Sequence, residues 1–325
     1  MGDLKMMYVI VRTGSGKKFA RRIGQELKRV NHRNNFIIPS VSYFPTSFER
    51  RPHLNPRNTL IHSRAAYPNG PNWVRNLVRK EEEGFRVINT TEVLRLTSNK
   101  LECALQMYNA GLPHPKTWAC TNSDAQIGAI MSTIRREGLS KVVVKPYTSM
   151  DQGANVKVIN IENQQTACTC PHCGDSHTRT TVPDSTELAR VIRGMPTSRV
   201  VIQEYVPYTA IYRVVVINGR AIPISWRDVP SANRWRVSVC LNRDMEFVRR
   251  PDSELLRLAE RTQTIIGGEI NFIDVFETRE GYVLSEINTA CNLLLHEEKA
   301  RNAGSTYWNI ARYIAKYLDE QARSR

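Results

Sequence analysis

Apolar residues recur at two different spacings along the chain, and these spacings predict both strands and helices. The run MYVIVR at positions 7–12 is typical of a buried strand, whereas residues 17–30 have the apolar spacing of an amphipathic helix. Residues 31–72 are rich in Pro, Asn, His and Arg, which indicates loops and short strands. A helix, a strand and a turn follow, so we expect a small α/β domain that ends near residue 97.

The pattern beyond residue 97 predicts further helices and strands, and the mixture is typical of the α/β (α+β) class. Ser98 and Gly111 are suited to begin and end the first of these helices. In chain order the predicted elements are a helix at 98–111, a strand at 141–147, a helix near 184–194, a strand at 200–206, a hairpin around Asn218–Gly219, a helix at 252–267, the strands INFIDVFE and YVLSEIN joined at Glu280–Gly281, and a closing helix at 305–322.

Composition and cysteine content narrow the class of protein. The chain has 325 residues, of which 41% are apolar and 24% charged, as expected of a soluble globular protein. No apolar run approaches the roughly 18 residues needed to cross a bilayer, and the first residues lack the features of a signal peptide. An odd number of cysteines, seven, argues against a disulfide framework. We therefore expect a cytoplasmic protein.

The net charge of +15 is concentrated near the start of the chain. The first 100 residues hold 19 Lys and Arg against 7 Asp and Glu. Such an excess favours an anionic partner: nucleic acid, an acidic peptide or protein tail, or a polycarboxylate. The alternative is a well-solvated basic face with no partner.

Three oxygen-bearing side chains are predicted to meet on the hairpin near the end of the chain. Asp274 lies on one strand, and Glu286 and Asn288 lie two positions apart on the next, so the latter pair share a face. Hard cations such as Mg²⁺ take oxygen ligands completed by water and phosphates. The sequence thus predicts a Mg²⁺ site here. The alternative is a set of polar residues on the solvent face of a hairpin.

Two lysines and a group of arginines are candidates for binding anions. Lys145 ends an apolar strand and Lys100 begins a helix, so both are suited to hold nucleotide phosphates as point charges. The stretch that follows Lys145, which contains Ser149 and Gly153, offers hydroxyl and backbone N–H donors. Clustered arginines suit phosphate or carboxylate recognition, and Arg213, Arg227, Arg234 and Arg236 lie within 24 residues of one another.

In this order, residues 85–295 resemble the ATP-grasp superfamily, and most closely the branch of the ribosomal-protein glutamate ligases and glutathione-synthetase-like enzymes. The resemblance is carried by GFRVINTTEVLRLTSNKLECALQMYNAGLPHPKTW, VVVKPYTSMDQGANVKVI, VVIQEYV and INFIDVFETREGYVLSEINTACN. It implies an N-terminal α/β pre-grasp domain and two subdomains that clamp ATP. The implied boundaries are 1–97, 98–203 with a Cys-rich insertion at 163–182, and 204–325.

The resemblance also implies roles for individual residues. Lys100 and Lys145 would hold the ATP phosphates under a lid that contains Ser149 and Gly153. The adenine would lie beside Gln203, Glu204 and the backbone of Tyr205 and Val206. Two Mg²⁺ ions would be held by Asp274, Glu286 and Asn288. Arg213 would contact the substrate or the transferred phosphoryl group, with the same role for Arg227 and Arg236.

The activity implied is that of an ADP-forming carboxylate–amine ligase. A carboxylate attacks the γ-phosphate of ATP, and an amine then attacks the acyl phosphate to give an amide. Two features depart from the family. Relatives commonly have D-x-R where this chain has Ile211-Tyr212-Arg213, and the lid contains few glycines. Both departures bear on the identity of the substrate more than on the fold.

A cysteine cluster lies inside the predicted lid subdomain. The turn CPHC places Cys170 and Cys173 at the spacing of a zinc knuckle, and Cys168 and His177 are suited to complete a structural Zn²⁺ site. The alternative is a Cys-rich surface loop with reducible thiols. The knuckle and the basic N-terminal region also support a second class of function, a nucleic-acid-binding protein, or a ligase that modifies a nucleic-acid-associated substrate.

Overall fold

The computed structural model describes residues 6–12, 16–51, 53–64, 71–147, 155–161, 165–169, 176–180, 185–229 and 245–324. It divides into two compact units. The first unit contains Met1–His114 and Pro207–Arg325, and the second contains Pro115–Val206. The second unit is therefore an insertion in the sequence of the first.

The first unit contains two sheets and most of the described helices. Its strands are β1 (Met7–Arg12), β2 (Asn35–Ile37), β3 (Thr59–Arg64), β4 (Arg86–Ile88), β11 (Ala210–Ile217), β12 (Arg220–Asp228), β13 (Glu246–Val248), β14 (Ile270–Thr278) and β15 (Gly281–Asn288). Its helices are α1 (Lys17–Val30), α2 (Phe44–Glu49), α3 (Pro71–Glu82), α4 (Thr91–Ser98), α5 (Lys100–Asn109), α8 (Ser253–Ile266), α9 (Leu294–Asn302) and α10 (Ile310–Arg323). The second unit contains β5 (Thr117–Thr121), β6 (Lys141–Pro146), β7 (Lys157–Asn160), β8 (Gln165–Thr169), β9 (Ser176–Thr180), β10 (Arg199–Glu204), α6 (Asp124–Arg136) and α7 (Ser185–Arg193).

The N-terminal sheet of the first unit is parallel, in the order β2-β1-β3-β4. Helix α1 packs on it because Phe19, Ile23 and Leu27 recur every four residues and are fully buried. Each such side chain contributes roughly 1.5–3 kcal/mol by leaving water. Helix α10 completes this face, and its Asp319 accepts a 2.8 Å hydrogen bond from the Tyr8 hydroxyl.

The second sheet of the first unit is antiparallel, in the order β13-β12-β11-β14-β15. Asn218 and Gly219 have φ values of 52° and 76°, which is the left-handed backbone that a tight hairpin between β11 and β12 requires. Helix α8 begins at Asp252, whose side chain accepts from the Glu254 N–H at 2.7 Å, and ends at Gly267 with φ of 75°. The sheet separates two apolar cores of the first unit, one against α1, α9 and α10 and the other against α5 and α8.

The second unit contains a four-stranded antiparallel sheet, β5-β10-β6-β7, and the two-stranded hairpin β8-β9. Val142, Val144, Val200 and Ile202 form its core together with residues of α6 and α7. Alternate residues of the same strands, which include Lys145, therefore point to the opposite face of the sheet.

The mixed α/β fold predicted from the sequence is confirmed, as are the strand at 7–12, the helix at 17–30 and the hairpin around Asn218–Gly219. The predicted cap at Ser98 is wrong, because Ser98 ends α4 and Asn99 caps α5 by accepting from the Glu102 N–H at 3.2 Å. The closing helix begins at Ile310 and not near residue 305. Of the helices that the structure describes, none has the length and apolar character needed to span a membrane.

Candidate active site

A buried ion pair lies at the centre of the antiparallel sheet. Arg213 on β11 is paired in register with Asp274 on β14. The Arg213 Nε and Nη2 atoms donate to the two carboxylate oxygens of Asp274 at 2.8 and 2.6 Å, and the side chains are 3% and 8% exposed. This two-point geometry is the strong form of the guanidinium–carboxylate contact. It fixes both side chains on two neighbouring central strands of the sheet.

The predicted metal ligands are brought together on one face of the β14–β15 hairpin. Asp274 is opposite Glu286, and Phe272 is opposite Asn288. The carboxylate of Glu286 is 42% exposed, and its Oε1 lies 3.5 Å from Lys100 Nζ. Within the described residues, no group of three or more Cys, His, Asp and Glu side chains is arranged for a metal. The candidate site therefore consists of two carboxylates and the Asn288 amide.

This donor set fits a hard cation. Arg213 donates one hydrogen bond to each oxygen of Asp274, and a carboxylate has about four lone-pair positions, so these two bonds do not fill it. Glu286 is the accessible carboxylate. Oxygen ligands in this small number suit Mg²⁺, which retains waters and phosphate oxygens in its coordination sphere.

A series of side-chain contacts connects this ion pair to the parallel sheet of the first unit. Arg213 Nη1 lies 2.8 Å from the Cys291 sulfur, just beyond β15. The Cys291 carbonyl accepts a hydrogen bond from Arg64 at the end of β3. Asp274, Arg213, Cys291 and Arg64 thus form one continuous series of contacts within the first unit. Neither Cys291 nor Arg64 was identified from the sequence.

Arg227 does not join this group. It is opposite Tyr212 in the β11–β12 register, whereas Arg213 is opposite Trp226, so the two arginines point to opposite faces of the sheet. Arg227 instead pairs with Glu277 at 3.1 Å and with Glu246 at 3.5 Å. The contact of Arg227 with the substrate or the transferred phosphoryl group stays a prediction.

Ile211, which stands where relatives commonly have Asp, is a core residue. It is 6% exposed and packs in the apolar cluster on the same face of the sheet as Arg213. The position therefore supplies no polar contact to the site.

The second unit carries a row of polar side chains on the face of its sheet opposite α6 and α7. Lys145 Nζ donates to Gln203 Oε1 at 2.7 Å, and Gln203 Nε2 donates to Thr117 Oγ1 at 3.0 Å. Gln203 is buried and thereby holds the ammonium group of Lys145 in one position at the strand end. Lys145 and Gln203, which were predicted separately, are in direct contact. Thr117 was not predicted.

The predicted adenine-binding segment follows the same strand. Glu204 is hydrogen-bonded to Lys116 twice, by its backbone N–H to the Lys116 carbonyl at 2.9 Å and by its carboxylate from the Lys116 N–H at 3.2 Å. The Tyr205 N–H donates to the Lys141 carbonyl at 3.3 Å. Val206 is partly exposed at the end of the unit. These bonds fix the backbone of the segment.

Several predicted site residues lie outside the described part of the chain: Arg236, Ser149, Gly153, Cys170 and Cys173. The backbones of Cys168 and His177 are described, and the two residues are directly opposite each other in the β8–β9 hairpin. The zinc site stays a prediction.

Comparison with known proteins gives consistent results. No protein-family model matches the chain. The glutamate–LysW ligase ArgX of Sulfolobus acidocaldarius is 26% identical over 211 residues, which is 64% of this chain and 66% of that ligase, slightly under two thirds of its length. The ArgX protein of Sulfurisphaera tokodaii is 22% identical over 74% of this chain and 75% of its own.

Solved structures share the fold over nearly the whole chain. The ATP-grasp ligase PsnB, in complex with its precursor peptide PsnA2 and AMPPNP, has a TM-score of 0.64 at 17% identity and covers 99% of each chain. The D-alanine–D-alanine ligase of Bacillus anthracis has a TM-score of 0.64 at 13% identity, again over 99% of each chain. With the strand order, the Asp274–Glu286 hairpin and the Lys145 row, these likenesses assign the fold. The chain therefore shares its fold with solved ATP-grasp ligases.

Proposed function

We propose that this chain is an ADP-forming carboxylate–amine ligase that makes an amide bond through an acyl phosphate. The observation that carries the proposal is the grouping of Asp274, Glu286 and Asn288 on one face of the hairpin. Arg213, which donates two hydrogen bonds to Asp274, and Lys100 lie beside this group. Full-length similarity to ATP-grasp ligases supports it. Relatives named as glutamate–LysW ligases suggest an amino acid and a carrier protein as the substrate classes.

Each unit contains its own candidate nucleotide contacts. In the second unit, Lys145 is held by Gln203 and would neutralise phosphate oxygens, and the segment Glu204–Val206 would border the adenine. Ser149 and Gly153 remain proposed lid residues. In the first unit, Lys100 would contact phosphate beside the metal. A bound Mg²⁺ pair would neutralise the charge that develops on the transferred phosphoryl group.

The residues of the first unit would position the reacting groups. Glu286 and Asn288 would hold a Mg²⁺ ion from the exposed side, and Asp274 would ligate from beneath while it keeps Arg213 in place. Arg213 would stabilise negative charge on the carboxylate as it attacks phosphorus. Because charge stabilisation and positioning carry the reaction, a side-chain nucleophile is not required.

A basic cleft on α1 supports an acidic partner. It has a volume of about 420 Å³ and is lined by Lys17, Lys18, Arg21, Arg22, Gln25 and Leu294. We propose that it attracts an acidic peptide or protein tail, with a free amino acid as the amine or carboxylate co-substrate. Nucleic-acid binding gains no support from the ligases described above. We also propose a structural zinc ion at Cys168, Cys170, Cys173 and His177, and a cytoplasmic location.

The proposal is tested by measuring ADP release from Mg·ATP with pooled amino acids and acidic peptides. Glu286→Gln should abolish turnover, while Glu280→Gln, the same change at the exposed turn of the same hairpin, should leave it intact. If the natural chain releases ADP and the Glu286→Gln variant does so at the same rate, the proposed metal site is excluded. Absence of Mg·ATP binding by the natural chain would overturn the ligase assignment itself.

A further inference from the structure

A second arginine of the first unit is buried, and no carboxylate among the described residues forms a salt bridge with it. Arg64 ends strand β3 and is 2% exposed. Its guanidinium lies 4.8 Å from the ring centroid of Phe19, in the first turn of α1, and donates one hydrogen bond to the Cys291 carbonyl. It is therefore enclosed between the start of a helix and the loop that follows the proposed metal hairpin.

Most of the hydrogen-bonding capacity of Arg64 is unused. Its Nε and Nη1 atoms are buried and have no hydrogen-bond partner among the residues that the structure describes. No carboxylate of the described residues forms a salt bridge with it. Burial lowers the pKa of Arg64 to about 10, so the group is still charged at neutral pH. A buried charge that lacks a counterion is destabilising by several kcal/mol, and such groups are characteristic of binding sites.

Among the described residues, the neighbours of Arg64 named here are neutral or add positive potential. His62 lies two residues earlier, on the same face of β3. Its Nδ1 bonds to the Ile88 carbonyl at 2.8 Å and must therefore carry the proton, and burial followed by the charge of Arg64 lowers the pKa of His62 to about 3. The imidazole is consequently neutral. The first turn of α1 has no acidic residue and no side-chain cap, so its N–H groups add positive potential.

This location adjoins the proposed reacting centre. Arg64 contacts the carbonyl of Cys291, and the sulfur of the same residue lies 2.8 Å from Arg213, which holds Asp274. One residue thus separates the unpaired guanidinium from the pair beside the proposed metal. An anion bound at Arg64 would therefore lie near that pair.

We propose that Arg64 and the first turn of α1 bind a carboxylate of the substrate that is not consumed in the reaction, and that they thereby select an acidic substrate. A guanidinium matches a planar carboxylate through two parallel N–H···O bonds, and at Arg64 these would come from Nε or Nη1 together with the second N–H of Nη2. The inference rests on the proposed ligase function, and it adds a substrate class to that function: a molecule with a second carboxylate close to the reacting one.

The test uses the full chain without substrate turnover. Thermal unfolding is followed with glutarate, L-glutamate, inorganic phosphate or Mg·ATP added, for the natural chain, Arg64→Met and Arg79→Met; Arg79 is an exposed arginine of the same unit. We expect both dicarboxylates to stabilise the natural chain and Arg79→Met, and to bind Arg64→Met roughly tenfold or more weakly, since charge-assisted bonds are lost. Arg64→Lys should show intermediate binding, because lysine keeps the positive charge but lacks the planar two-donor geometry of the guanidinium.

The stability of the ligand-free variant provides a second readout. A guanidinium that serves only to hold the fold would make Arg64→Met unfold at a clearly lower temperature, whereas an uncompensated substrate-binding charge predicts an equal or higher unfolding temperature. The proposal is overturned if neither dicarboxylate stabilises the natural chain, if Arg64→Met is stabilised equally, or if phosphate binds at Arg64 better than glutarate. Stabilisation by Mg·ATP should persist in Arg64→Met. If Mg·ATP does not stabilise the natural chain either, the result counts against the ligase function and not against the role of Arg64.

Discussion

Replacement of Asp274 by Asn should reveal how strongly the buried pair stabilises the first unit. The change removes one negative charge and leaves the Arg213 guanidinium, 3% exposed, without its counterion. Breaking a buried pair by removing one partner costs about 3–5 kcal/mol. Because Asn keeps one acceptor oxygen, we expect the lower end of this range, about 3 kcal/mol.

Urea denaturation of the natural chain, Asp274→Asn and Glu286→Gln measures this cost. With an m-value of about 3 kcal/mol/M, the midpoint for Asp274→Asn should fall by about 1 M. Glu286 is 42% exposed and lies 3.5 Å from Lys100, so Glu286→Gln should cost less than about 1 kcal/mol. Both variants lose ATP turnover, and only one loses stability.

A double-mutant cycle isolates the pair from the rest of the site. Arg213→Met and Asp274→Leu should each destabilise the protein, whereas the double variant should recover much of the loss, since an apolar pair of similar volume often replaces a buried ion pair. Equal midpoints for Asp274→Asn and Glu286→Gln, or strictly additive losses in the cycle, would refute the reasoning.

Three further outcomes are expected. Lys145→Met should raise the dissociation constant of Mg·ATP roughly tenfold or more, measured by calorimetry, while Gln203→Leu, which frees the lysine from its 2.7 Å contact, should have a smaller effect. Arg227→Ala should keep ATP turnover and lose under about 1 kcal/mol of stability, because the Arg227 side chain is on the face of the sheet opposite Arg213 and its partners are partly exposed. A large fall in kcat would instead show that Arg227 takes part in the reaction. Burial, followed by the hydrogen bond to Asp319, raises the pKa of Tyr8, so its contribution to stability is present below pH of about 10 and is lost above that. Tyr8→Phe should accordingly reduce stability at pH 8 and flatten the alkaline unfolding seen by circular dichroism; an unchanged alkaline curve would exclude this role for Tyr8.

The hairpin of Asp274 and Glu286 could be predicted because two local rules agree there. Alternation assigns Glu286 and Asn288 to one face. The short turn at Glu280–Gly281 sets the pairing of β14 with β15, apart from the register shift at the bulge that follows Asp274. The pairing of Arg213 with Asp274 was not predictable in this way, because it depends on β14 lying beside β11 across 61 residues.

The opposite orientation of Arg213 and Arg227 could have been predicted from the sequence. Arg213 and Arg227 flank a two-residue turn at Asn218–Gly219, and a period of two carried across that turn places them on opposite faces. Their closeness along the chain suggested a common site. Arg64 had no such signal, since it ends a short strand with polar residues inside a stretch interpreted as loops and short strands.

The insertion of one unit within the other has a consequence for biosynthesis. Strand β1 is completed by α10, through a hydrogen bond between residues 311 positions apart, whereas Pro115–Val206 is a continuous stretch with its own sheet and core. At about 5–20 residues per second, a ribosome needs roughly 10–40 s to pass from His114 to the start of α10. The inserted unit can fold within that interval, whereas the apolar side chains of α1 remain exposed until α10, which covers them, has been synthesised. Nascent chains should therefore gain a protease-resistant inserted unit first, and recruit chaperones to the N-terminal segment until synthesis of α10.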